Sequence, residues 1–270
     1  LRKNLLITLF LTSFAATAQT IRTPGSFSYT TLTAYSRQTA DAFSFGGNTA
    51  AASALKDFSA GIYSERRFGL KALSSYAAAS VLPTTSGNFG LRADYLGNFS
   101  YNEATVGLSF SRNLGEKASV GVQFNYFSLS AAGYGSGSAV TVDAGIMAHL
   151  TPQIHVGIQA CNPAGTSWGK EGNERLPSIY RAGLGYDVSE QFFIAAEAEK
   201  ASGSSMGINA GLQYRAAEKL ITRAGIRSGT SAYYFGFGVQ LEQLRFDVTA
   251  SVHPYLGLSP GLLMVYSAAK

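Results

Sequence analysis

The sequence predicts an all-β, transmembrane, antiparallel up-and-down β-barrel of about 14 strands. Three observations carry this: period-two alternation along most of the chain, sparse charge, and no apolar run of the ~18 to 20 residues that a membrane helix needs. The alternation is clearest from Ala104 to Phe127. Val106, Leu108 and Phe110 share one parity, with Thr105, Gly107, Ser109 and Ser111 on the other. After Asn113-Leu114-Gly115-Glu116 it resumes with Val120, Val122, Phe124 and Tyr126, opposed by Ser119, Gly121, Gln123 and Asn125. Two different faces at period two mark a strand, and runs of about 10 residues suit tilted strands crossing a bilayer. Charged residues make up 14% of the chain, against about 25% in soluble domains. A barrel tolerates this because much of its outside faces lipid.

Arg2 and Lys3 precede the apolar run from Leu5 to Phe14, and Ala16-Thr17-Ala18 then precedes Gln19. A charged start, a short apolar stretch and an A-x-A site predict a cleavable signal peptide over 1–18. An exported, apolar chain without a membrane helix must pair every backbone group internally, which a closed barrel does. The expected location is the outer membrane of a Gram-negative bacterium. The expected partners are its lipid and the barrel-assembly machinery, with no nucleic acid. The formal charge of +5 includes the two basic residues of the signal peptide.

Residues 19–57 form a separate N-terminal segment, rich in Ser, Thr and Ala and without sustained alternation. Gly46-Gly47-Asn48 followed by Thr49-Ala50-Ala51-Ala52 suggests a turn and a short helix of small residues. It reads either as a plug inside the lumen, with Gly46, Gly47 and Asn48 as its candidate residues, or as a periplasmic tail. The small residues favour the plug.

The barrel proper spans 58–270. Strands are expected near 58–64, 76–83, 87–97, 103–112, 117–127, 139–149, 153–161, 178–187, 191–200, 206–215, 219–227, 232–241, 244–252 and 261–268. Their connections alternate between tight turns and longer loops, notably 65–75, 128–138, 162–177 and 253–260. Single-chain barrels have short periplasmic turns and longer external loops, so both termini are expected in the periplasm. A soluble sandwich would also alternate, but large apolar and aromatic residues hold one parity through nearly every strand. Outward positions include Leu91, Ile158, Leu184, Phe235 and Val248, with Tyr95, Tyr126, Tyr180 and Tyr233 fitting interfacial girdles.

The opposite parity is polar. Its charged members, Arg92, Asp94, Glu197, Glu199, Arg215, Arg223, Arg227, Arg245 and Asp247, are the candidate lumen residues. They read either as a polar path for a solute or as salt bridges that hold the barrel together. His149 and His155 would both point inward near the 150–152 turn, as a pair or as ordinary lumen residues. Neither they nor His253 have metal-ligand spacing, Cys161 is the single cysteine, and no nucleophile elbow or phosphate-binding loop is present. The chain is read as non-enzymatic, without cofactor or metal. Gly261, Met264 and Tyr266 in the last strand fit a C-terminal assembly signal.

Several short patches add a resemblance. They are Gly47-Asn48-Thr49-Ala50-Ala51 (an N-P-A-like segment with Thr in place of Pro), Tyr63-Ser64-Glu65-Arg66-Arg67-Phe68, Asn162-Pro163-Ala164-Gly165 and His253-Pro254-Tyr255-Leu256-Gly257. With the layout ending at Tyr266, the chain resembles FadL-type barrels, and more closely the PorV/PorQ-like outer-membrane proteins of the Bacteroidetes. The resemblance implies one of two roles. The PorV/PorQ-like role is accessory docking in type IX-like protein secretion, binding a translocon or cargo protein through loops 65–75, 128–138 and 162–177, with Glu65-Arg66-Arg67 as the cue. The FadL-like role is a channel or transporter for a small, hydrophobic solute. The docking role is placed first.

Overall fold

The computed structural model describes residues 28–168, 174–217 and 219–268. The signal-peptide reading of 1–18 and the start of the N-terminal segment lie outside these residues. Fourteen antiparallel strands close into one barrel. They are β1 (Ser59–Arg66), β2 (Ser74–Thr84), β3 (Gly87–Gly97), β4 (Tyr101–Leu114), β5 (Ala118–Ala131), β6 (Gly135–His149), β7 (Ile154–Cys161), β10 (Ile179–Asp187), β11 (Phe192–Ala201), β12 (Met206–Ala217), β13 (Leu220–Arg227), β14 (Ala232–Leu241), β15 (Leu244–His253) and β16 (Gly257–Ser267). The connection after β7 carries a two-stranded ribbon, β8 (Ser167–Trp168) and β9 (Glu174–Arg175). Each barrel strand pairs with its neighbour in sequence, and β1 closes the ring against β16 from Ser59↔Ser267 to Glu65↔Gly261. Closure leaves no edge to be satisfied in lipid. No helix among the described residues is long and apolar enough to cross a membrane.

The parity reading holds around the ring. Ile62, Leu91, Leu108, Phe124, Ile158 and Leu262 are all exposed on the outside, while Gln123, Asn125, His155, Arg181, Asn209 and Arg223 are buried inside. A charge on the lipid face costs about 2–4 kcal/mol at mid-bilayer, which confines the lumen candidates to one parity.

Two expectations need correction. Segment 128–138 is mostly strand: β5 and β6 continue with Ser128↔Ser138, Leu129↔Gly137 and Ser130↔Ser136 paired in register. Likewise β16 begins at Gly257, well inside 253–260. Serines and glycines read as loop, yet above the bilayer a strand needs backbone pairing rather than an apolar face. Long connections remain only over 67–73 and 162–178.

The lumen is also not uniformly polar. Val81, Ala77, Ala79, Leu263, Val265 and Phe193 face inward and form an apolar core with Phe43, Phe45 and Leu32. The signal was present in β16, where Leu262-Leu263-Met264-Val265-Tyr266 breaks the alternation, as expected of a strand buried on both faces.

Candidate functional site in the barrel lumen

Residues 28–57 pack against the inner wall. The segment opens with a helical turn, α1 (Ser28–Leu32), and continues through 3₁₀ turns at Thr33–Tyr35, Ser44–Gly46 and Thr49–Ala54. Tyr35, Phe43, Asn48 and Ala50 are fully buried. Four contacts bind it to three strands, β10, β11 and β15. The Tyr35 hydroxyl donates to Glu197 at 2.7 Å, and Ser36 Oγ donates to Asp187 at 2.6 Å. Arg245 donates to Asp41 at 2.6 Å, and Arg181 Nη1 reaches the Gly46 carbonyl at 3.3 Å.

Asn48 starts the last 3₁₀ turn. Its Oδ1 accepts from Ala50 N at 3.0 Å, and its Nδ2 donates to the carbonyls of Ile146 and Ile158 at 3.3 and 3.0 Å. Thr49, the departure from N-P-A, donates its backbone N–H to Gln159 Oε1 at 3.0 Å and its hydroxyl to the Gly121 carbonyl at 3.0 Å. A proline would lose both bonds. Glycines on the wall make the approach possible: a Cβ at Gly183 would stand 2.2 Å from the Tyr35 ring, and one at Gly145 2.3 Å from Asn48 Oδ1.

Eight of the nine charged candidates form ion pairs. Arg92 grips Asp94 through two bonds of 2.7 and 2.8 Å. Arg181 and Arg227 share Glu199 at 2.7 and 2.9 Å, and Glu197 lies 4.0 Å from Arg181. Asp247 accepts from Arg223, and Arg245 stands 3.3 Å away on the same carboxylate oxygen. Arg215, at the turn end of β12, makes no ion pair among the described residues. Sequence reasoning missed Tyr35 and Asp41, because nothing local shows which strand a segment residue will meet.

His149 and His155 do form the pair, with their Nδ1 atoms 2.9 Å apart. His155 Nε2 lies 3.1 Å from Asp187, which also holds Ser36. No group of three His, Cys, Asp or Glu side chains suited to a metal occurs among the described residues.

The Tyr35 contact sets a pH dependence. Burial, and the charge of Glu197 beside it, hold the Tyr35 phenol well above its ordinary pKa of 10.0. A value raised on folding contributes stability that is complete below pH 10 and is lost as pH rises through the folded value. Proteolytic release of residues 28–57 is therefore expected to begin only above the ordinary tyrosine range. Tyr35→Phe should abolish this alkaline step while weakening attachment at neutral pH.

Beside Gly46 lies a cavity of about 150 Å³, walled by Phe45, Arg92, Asp94, Gln123, Phe127, Asp143 and Arg181, among others. Arg92 and Arg181 come from strands β3 and β10, so the tip of the segment sits between them.

No family model matches the sequence, and no curated protein matches it. Solved structures do. The monoaromatic hydrocarbon channel CymD superposes with a TM-score of 0.65 at 13% identity, over 85% of this chain and 93% of that one. The Pseudomonas putida toluene transporter TodX gives 0.62 at 12%, over 83% and 92%. A Pseudomonas aeruginosa FadL homologue gives 0.57 at 11%, over 84% and 93%. What is shared is the fold. These neighbours are a hydrocarbon channel, toluene transporters and a FadL homologue.

The docking cue also changes. Glu65 and Arg67 are buried, at 3% and 5% exposure, and lie 3.5 Å apart on the lumen side. Only Arg66 of the trio faces outward. Alternation at period two turns i and i+2 to the same face, and that face is the interior.

Proposed function

We propose that this chain is a non-enzymatic outer-membrane channel for a small solute, with residues 28–57 acting as a plug in its lumen. The observation that carries this reading is the set of polar contacts between the segment and the wall, at Glu197, Asp187, Arg245 and Arg181. A barrel that served only as a rigid docking post could fill its lumen with its own wall side chains. Here a separate stretch of chain is tethered inside, with a cavity beside it. The FadL-type fold of hydrocarbon channels supports the same reading. The type IX-like docking role has lost the exposed Glu65-Arg66-Arg67 cluster and most of the loop at 128–138.

The location follows from the apolar outer band and closed ring, which require a bilayer around them. Leu262, Met264 and Tyr266 share the outward parity of β16, with Gly261 inward, as suits recognition by the assembly machinery during insertion.

Planar-bilayer conductance tests the reading. The intact protein should conduct weakly, and deletion of residues 28–57 should produce a stable open pore. Equal conductance with and without the segment would remove the plug assignment.

A further inference from the structure

The outer wall carries an apolar groove that runs across β15, β16 and β1 to β4, between banks that include Phe246, Met264, Ile62 and Val106. Its floor is low because small side chains stand where the rest of the outer face is bulky. Ala78 and Ala93 are cross-strand partners, with Ile62 beside the first and Val106 beside the second. Both alanines are exposed on the lipid side. Strand pairing beneath them is unbroken, from Ser75↔Leu96 to Thr84↔Gly87, so the groove is a dent in the wall and not a passage through it.

The groove changes character toward the external end. The rings of Tyr76 and Tyr95 stand 6.5 Å apart and close its apolar part, as suits aromatic residues at a membrane interface. Ser64, which also lines the groove, pairs with Tyr76. Two residues further along β1 comes Arg66, on the same outward face and about 7 Å beyond. Every other charged side chain of β1, β3 and β15 faces inward. Arg66 is exposed and makes no ion pair or side-chain hydrogen bond among the described residues.

These features ask for one kind of occupant. A concave apolar floor forfeits dispersion contacts unless a chain lies in it, and a guanidinium matches the oxygens of a phosphate in a two-pronged pair. We infer that the groove is a binding site for an anionic, phosphate-bearing lipid of the external leaflet. Its phosphate sits on Arg66, and one acyl chain passes Tyr76 and Tyr95 to lie over Ala78 and Ala93. The inference needs the barrel to stand in a bilayer but not to conduct, so it is independent of the channel reading.

The experiment is native mass spectrometry of the refolded full chain in detergent, titrated with dioleoyl phosphatidylglycerol, dioleoyl phosphatidylcholine and glycerol phosphate. Phosphatidylglycerol should be retained about fivefold more tightly than phosphatidylcholine, the worth of one cation against an anionic lipid. Glycerol phosphate, with no chain for the groove, should not compete. Arg66→Gln should make the two lipids equal. Ala93→Phe fills the floor from the lipid side and should weaken both lipids alike. Arg112→Gln removes an exposed outward cation at the opposite end of β4, away from the groove, and should leave the preference intact. All three substitutions lie on the outer face, and heat-modifiable migration checks that each variant folds. Equal retention of the two lipids by the unaltered chain, a preference that survives Arg66→Gln, or one lost as fully in Arg112→Gln would overturn the inference. So would unchanged binding in Ala93→Phe, competition by glycerol phosphate, or a dimer of the chain that Ala93→Phe dissolves.

Discussion

Asp247→Ala is expected to be the most damaging single change in the lumen, costing about 3–5 kcal/mol of stability, the scale of a broken buried pair. Asp247 is 1% exposed and serves two arginines at once, Arg223 at 4% and Arg245 at 8%. Removing it leaves two cations deep in the barrel. Gln213 still accepts from Arg223 at 2.7 Å, and Asp41 still accepts from Arg245 at 2.6 Å. The first is a neutral partner and the second belongs to the segment, so the loss also loosens the segment's anchor. Asp94→Asn is the contrast. Its side chain is 34% exposed, and loss of a solvated pair should cost about 1 kcal/mol or less. Denaturant unfolding in detergent measures both. A cost for Asp247→Ala no larger than that for Asp94→Asn would remove the role assigned to the triad.

Gly121→Ala is expected to have the largest effect on conductance with the smallest change in chemistry. A Cβ there would stand 2.4 Å from the carbonyl carbon and oxygen of Thr49 and 2.6 Å from Ala50 N. These are backbone atoms, so no rotamer relieves the collision, and overpacking of this kind costs about 1–3 kcal/mol. The strands around it are paired through their own backbones, Ser111↔Gly121 on one side and Gly121↔Gly145 on the other. The segment should therefore yield before the barrel does. The variant is expected to fold and to conduct like the chain lacking residues 28–57. Gly236→Ala serves as the control, because its Cβ would meet nothing closer than 3.5 Å. Wild-type conductance in Gly121→Ala would mean that the segment accommodates the methyl group without leaving the wall.

Much of the architecture was legible in the order of residues. The fourteen barrel strands coincide with the alternating runs, because lipid outside and polar groups inside impose opposite requirements on adjacent residues. The assignment of Arg92, Glu199, Arg223 and Asp247 to the lumen follows from the same parity. Where alternation lapses, the reading weakened for a physical reason. The Ser- and Gly-rich ends of β5 and β6 lie beyond the apolar band, so pairing persists there without a pattern. Along β2 and β16 both faces are apolar, because one meets lipid and the other meets Phe43 and Phe45.

Parity says which face a side chain takes, but not its height on the wall or its partner across the lumen. Glu65 and Arg67 looked like an external charge cluster until the first strand was seen to run on to Arg66, which turns both inward. The meeting of Tyr35 with Glu197 joins residues 162 positions apart, and that of Asp41 with Arg245 joins residues 204 apart. The 28–57 segment has no alternation to set its register, so only closure of the ring, which brings β3, β5, β10 and β15 around one axis, decides what it touches. The hollow over Ala78 and Ala93 likewise exists only after β2 and β3 pair, because Ala78↔Ala93 is a cross-strand contact that neither strand specifies alone.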